Sequence, residues 1–149
     1  MGLLTQIIVA DMANADDLSR IISADFKKNH AGRDYDEASA LRAFKAYCAR
    51  GGEYFHTPNC IVIYREQVAG VVEFHCFNGG SGADLTGCVS KFLHFVRPVA
   101  SVAVTYYDNP KISELLKFLP FESQVNCIAE GEDRTFEAAI DLSKERAHG

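Results

Sequence analysis

Apolar positions along this chain switch repeatedly between a period near 3.6 and a period of two, and each switch predicts an element. Gln6 to Ala10 is a short β-branched apolar run, which predicts a strand, and Asn14-Ala15-Asp16-Asp17 supplies carboxylates and amides suited to a helix start. From Asp17 onward Leu18, Ile21, Ile22 and Asp25-Phe26 recur at spacings of three and four, until Asn29-His30-Ala31-Gly32 supplies a stop. A second helix is predicted from about Asp36, with Ala38, Leu41, Ala43, Phe44, Tyr47 and Cys48 on its apolar side and an end at Gly51-Gly52.

Cys60 to Tyr64 then reads as a buried strand, Arg65-Glu66-Gln67 as a polar turn, and Val68 to Phe77 as its hairpin partner. Asn78-Gly79-Gly80-Ser81-Gly82 interrupts the pattern. Leu85, Cys88, Val89, Phe92, Leu93, Phe95 and Val96 carry helical spacing up to Pro98. Val99 to Tyr107 is predicted as a strand bounded by Asp108-Asn109-Pro110, and a short helix from Pro110 carries Ile112, Leu115, Leu116, Phe118 and Leu119 to Pro120. Two closing strands follow, Ser123 to Ala129 and Thr135 to Leu142, around the polar Glu130-Gly131-Glu132-Asp133, with Ser143 to Gly149 as a frayed end. The predicted order is β-α-α-β-β-α-β-α-β-β: an α/β (α+β) chain whose mixed, mostly antiparallel sheet is flanked by helices. Tyr54 to His56 either adds an edge strand or the sheet is trimmed.

Length narrows this picture to one domain, residues 1–149, because the chain is long enough for a real core and too short for two ordinary domains. Hydrophobic residues make up 48% and charged residues 23%, so a disordered or fibrous chain is excluded. The formal net charge of −5 marks an acidic protein and speaks against a broad nucleic-acid face, which needs clustered Lys and Arg. No apolar run approaches the roughly 20 residues of a membrane span, and the N-terminus lacks the basic and apolar regions of a secretory signal.

Five cysteines, at 48, 60, 76, 88 and 127, form an odd set without a C-x-x-C pair. Reduced thiols in a soluble, cytoplasmic protein are the expected reading, and scattered His and Cys give no zinc spacing, so no metal is assigned. Cys76 or Cys88 as a catalytic nucleophile in an unrelated α+β enzyme is a third reading, unsupported by any fixed Cys–His–acid spacing.

The element order and three short signatures resemble the GCN5-related N-acetyltransferase (GNAT) family. Ile7-Ile8-Val9-Ala10-Asp11 leading through Asp16-Asp17-Leu18 is similar to that family's opening strand and helix entry. Asn109, Leu115 and Phe121 fall at the spacing of its N-x-x-A-x-x-L-Y-x-K-x-G-F motif, and the strand Gly70 to Phe77 runs into a glycine-rich loop and a helix, as the family's acyl-CoA pyrophosphate loop does. The chain also resembles small, trimmed members found among bacteriophage gene products, some of them virion components.

The resemblance implies acetyl-CoA as cofactor, held by Phe77, Gly79, Gly80, Gly82 and Asn109. Glycines there let backbone N–H groups approach a phosphate, and the helix start adds partial positive charge. A flexible turn accounts for the same glycines without any ligand. No Arg or Gln precedes them, and Asp84 sets a carboxylate where it competes with pyrophosphate for the same amides. An acyl-CoA site would also need splayed strands between the segments ending near Phe77 and Tyr107.

Catalysis in such a transferase needs a base for the amine and an acid for the departing thiolate. The resembled family's tyrosine position is Leu116 here, and Pro120 stands for its glycine. Tyr107, with Tyr106 beside it, is the candidate acid, and Glu73 and His75, alternating on one strand face, are candidate bases. The same residues also suit an ordinary polar strand face and packed aromatics. The functional expectation is thus an acyl-CoA-dependent N-acetyltransferase acting on a small-molecule or protein amine. Its alternative is a catalytically inactive protein of the same fold, a possible pseudoenzyme with a structural role, for example in a phage virion, or binding a protein partner or further copies of itself. Phe92, Phe95, Phe118 and Phe121 are candidates for an oligomer face or, at helical spacing, for the core.

Overall fold

The computed structural model describes residues 15–29, 36–129 and 134–146. The strand expected at Gln6 to Ala10 lies outside them. Their elements are α1 (Ala15–Asn29), α2 (Glu37–Ala49), β1 (Glu53–Thr57), β2 (Cys60–Val68), β3 (Val71–Asn78), α3 (Gly82–Val96), β4 (Val102–Tyr107), α4 (Lys111–Leu115) with a 3₁₀ turn Leu116–Phe118, β5 (Phe121–Ala129) and β6 (Thr135–Glu145). One six-stranded sheet has the order β1-β2-β3-β4-β6-β5, with β3 and β4 parallel and β4-β6 and β6-β5 antiparallel. This is the mixed α+β architecture read from the sequence, with Tyr54 to His56 inside an added first strand.

The chain divides into two compact units, residues 1–63 with 76–88, and 64–75 with 89–149. In the first, α1 packs against α2 and buries Leu18, Ile21 and Ile22, while Tyr54, Cys60, Ile61, Val62 and Cys88 supply the rest of the core. Asp36 caps α2 by accepting the Ser39 N–H at 2.7 Å. The apolar side expected of α2 is only half-buried at Leu41, Phe44, Tyr47 and Cys48, and Ala38 and Ala43 face solvent, because a methyl group buries too little area to dictate orientation.

In the second unit, α3 buries Val89, Phe92, Leu93 and Val96 along one stripe, and Phe92 meets Tyr64 and Phe74 at ring centroids 5.1 and 5.3 Å apart. Strict alternation places Ala138, Ile140 and Leu142 of β6 inside, with Ile140 opposite the buried Ala103 of β4. β5 is mostly exposed beyond Phe121, including Val125 and Ile128, and Phe118 is 73% exposed instead of in the core.

Three boundaries correct the sequence reading. Arg65-Glu66-Gln67 continue β2, and the chain reverses at Ala69-Gly70, where Gly70 has φ +81°, a conformation that favours glycine. Polarity misled there: Arg65 and Gln67 are polar because they answer Glu73 on the next strand. Val99 to Ser101 form the turn after α3, the Val99 and Ala100 N–H groups both reaching Val96 O at 3.0 Å, so β4 starts only at Val102. At the other end Ser143 to Glu145 belong to β6, and Arg146 donates to Pro120 O and Lys117 O, each at 2.7 Å, which ties down part of the expected frayed end.

Candidate functional site

The glycine loop belongs to the first unit, and four of its amides are already committed. Asn78 N–H donates to Asp25 Oδ1 at 2.9 Å, Gly79 N–H to Asn59 O at 2.8 Å, Gly80 N–H to Asn78 Oδ1 at 2.9 Å and Ser81 N–H to Asp84 Oδ2 at 2.8 Å. Ser81 and Asp84 form a reciprocal helix cap, since Ser81 Oγ also donates to Asp84 Oδ2 at 3.1 Å and accepts the Asp84 N–H at 3.1 Å. Asn59 Nδ2 donates to the same carboxylate oxygen at 3.4 Å. Hydrogen bonds from Ser81, helped by Asn59 and the Lys28 charge, hold the Asp84 carboxyl below its usual range.

Sequence reasoning found the glycines and Asp84 and missed the residues that engage them. Asp25 is buried among the apolar residues of α1, and Lys28, one turn on, donates to Gly80 O. The signal was available: a carboxylate on the apolar stripe Leu18-Ile21-Ile22 must find hydrogen-bond donors to be buried. Gly82 opens α3 and its carbonyl accepts from Thr86 Oγ1 at 2.9 Å, while Phe77 lies edge-on to Phe44 with centroids 6.2 Å apart.

The candidate acid–base residues belong to the second unit. Alternation on β3 sends Val72 and Phe74 into the core and gives Glu73 and His75 the opposite side, as expected. Glu73 accepts from Arg65 Nε at 3.1 Å on one oxygen and from Gln67 Nε2 at 2.8 Å on the other. Tyr107 shares a 2.7 Å hydrogen bond with Ser113 Oγ and stacks on Phe136. Asn109 Oδ1 accepts the Lys111 N–H at 3.0 Å in the turn that leads into α4. Leu116, at the resembled family's tyrosine position, is buried.

The β3–β4 ladder is short: it runs through Val71↔Val102, Val72↔Ala103 and Glu73↔Val104, and ends there. β4 itself continues to Tyr107, still paired with β6 up to Tyr107↔Phe136. Among the described residues, Thr105, Tyr106 and Tyr107 therefore keep one partner strand and have none on the β3 side.

The Cys60 and Cys76 thiols are poor nucleophiles. Hydrogen bonding with Cys88, then burial, pushes the Cys60 thiol far up, and burial does the same to Cys76. Among the described residues no three His, Cys, Asp or Glu side chains group as a metal site, and no helix is long and apolar enough to cross a membrane.

No protein-family model and no curated protein matches this sequence. Solved structures do match its fold. A spermidine N-acetyltransferase variant from Vibrio cholerae superposes with TM-score 0.60 at 12% identity, over 86% of this chain and 91% of the other. A GNAT-family protein from Desulfovibrio desulfuricans gives 0.59 at 9%, over 83% and 92%. Ribosomal-protein-alanine N-acetyltransferase from Brucella melitensis gives 0.56 at 10%, over 85% and 93%. Identities this low speak for architecture alone, and the architecture is that of the GNAT N-acetyltransferases.

Proposed function

We propose that this protein is an acyl-thioester-dependent N-acetyltransferase acting on a small-molecule or protein amine. The observation that carries the reading is the β3–β4 ladder, which stops after three residue pairs while β4 runs on to Tyr107. Backbone groups of a strand that lose their neighbour need other partners, and the amides of a pantetheine arm can supply them. Glu73 takes the proton of the amine, directly or through water, and His75 is the second base candidate on that side of β3. The amine nitrogen attacks the thioester carbonyl carbon, the C–S bond breaks, and Tyr107, held by Ser113, protonates the departing thiolate. Acetyl-CoA is the proposed donor. Spermidine and a ribosomal-protein alanine are the first acceptors to try, being named for proteins of this fold.

A second reading is a protein that keeps the fold without the reaction and uses it to bind a protein partner or to assemble. It is favoured by the burial of Leu116 at the tyrosine position and by the Asp84 carboxylate in the glycine loop. Thermal unfolding with acetyl-CoA separates the two. Donor at about 100 times its dissociation constant stabilises the fold by about 2.7 kcal/mol, and mass spectrometry should show an acceptor gaining one acetyl group. No shift and no acetylated product at millimolar donor would leave the non-catalytic reading in its place.

A further inference from the structure

We propose that Asp84 is the resident anion of the glycine loop and a specificity-determining residue, so that the donor taken by the wild-type protein is recognised through its neutral pantetheine arm and not through a diphosphate. The inference rests on the acyl-thioester reading above and names the part of the donor that is read. Four consecutive amides, those of Asn78, Gly79, Gly80 and Ser81, are spent on Asp25, Asn59, Asn78 and Asp84 oxygens. Asp84 Oδ2 collects three donors that a diphosphate could otherwise use at the helix start: Ser81 N–H, Ser81 Oγ and Asn59 Nδ2. Lys28, the cation beside them, donates to Gly80 O and lends its charge to Asp84. An incoming diphosphate meets a carboxylate that stays ionised, and like charges at this range repel.

The shape of the loop agrees with this assignment. A Cβ on Gly80 would collide with the Asp84 carboxylate and lie 3.0 Å from Asn59 Cβ. The absent side chain at Gly80 thus makes room for a group of the protein itself. Replacing Asp84 by alanine returns three donors and the Lys28 charge to the loop, which is a set that suits phosphate oxygens.

The test is calorimetric titration of wild type, Asp84→Ala and Asp84→Asn with acetyl-CoA and with S-acetylpantetheine, which lacks the diphosphate and nucleotide. Wild type should bind the two within about threefold, and Asp84→Ala should gain about tenfold or more for acetyl-CoA alone. Asp84→Asn keeps a side-chain acceptor for the helix cap while removing the charge, so it should fold as wild type does and gain for acetyl-CoA in the same direction. Wild type preferring acetyl-CoA by about tenfold or more would overturn the inference, as would variants with no gain. If wild type binds neither compound while Asp84→Ala takes acetyl-CoA, Asp84 keeps its role and the acyl-transfer reading falls. Binding of neither compound by any of the three proteins overturns both.

Discussion

Gly80 and Asp84 exclude one another's enlargement: the carboxylate of Asp84 lies in the space that any side chain on residue 80 would enter. Gly80→Ala should therefore displace Asp84 from its cap on Ser81. Loss of that cap should lower the urea midpoint. In an Asp84→Ala background the same Gly80→Ala change should cost clearly less, because the collision is gone. Additive costs in that double-mutant cycle would show that the two positions are independent.

Asp84 should also set part of the acid sensitivity of the fold. Its carboxyl lies below the usual value in the folded chain, so the unfolded chain binds the proton more readily. The stabilisation is present above the unfolded-state value, about 3.9, and is lost as pH falls through the lower folded-state value. The stability gap between wild type and Asp84→Asn should be constant near neutral pH and shrink under acid. Chemical denaturation at pH 6 and pH 3 measures it, and a gap that grows on acidification contradicts the assignment.

Asp25 makes a different kind of prediction because it is buried and accepts the Asn78 N–H at 2.9 Å. Asp25→Leu leaves that part-buried donor without its acceptor and should cost about 1 kcal/mol. Asp25→Asn retains an acceptor and should cost less. Equal losses for the two variants would mean that volume, not the hydrogen bond, governs the site.

Tyr107 separates packing from chemistry. Tyr107→Phe keeps the stacking on Phe136 and removes the 2.7 Å hydrogen bond to Ser113 Oγ, so stability should fall by about 1 kcal/mol. If the phenol protonates the thiolate, kcat for acetyl transfer should fall by about 10²-fold or more, with KM little changed. Unchanged kcat would remove Tyr107 from the mechanism while leaving its structural part intact.

Much of this was legible in the sequence because the signals are local. The apolar stripe of α3, the alternation of β6 and the glycine interruption each arise from neighbours a few positions apart. Boundaries were harder where polar residues serve a distant strand. Arg65 and Gln67 look like a turn until Glu73 stands opposite them, and the true reversal rests on the single positive φ of Gly70. Phe118 satisfied a helical spacing and is nonetheless exposed, since spacing fixes which residues share a face but not what that face meets.

The sequence by itself determined the class of fold, the position of the glycine loop before α3, the presence of a carboxylate at Asp84 and the leucine at the family's tyrosine position. Only the tertiary structure decided what the loop amides do. Asp25 and Lys28 arrive from α1 and Asn59 from the turn before β2, and with Asp84 they turn a run of glycines that could cradle an anion into one that holds its own. Hydrogen-bond donors are spent by whichever acceptor lies nearest in space, and that distance is not written in the order of residues.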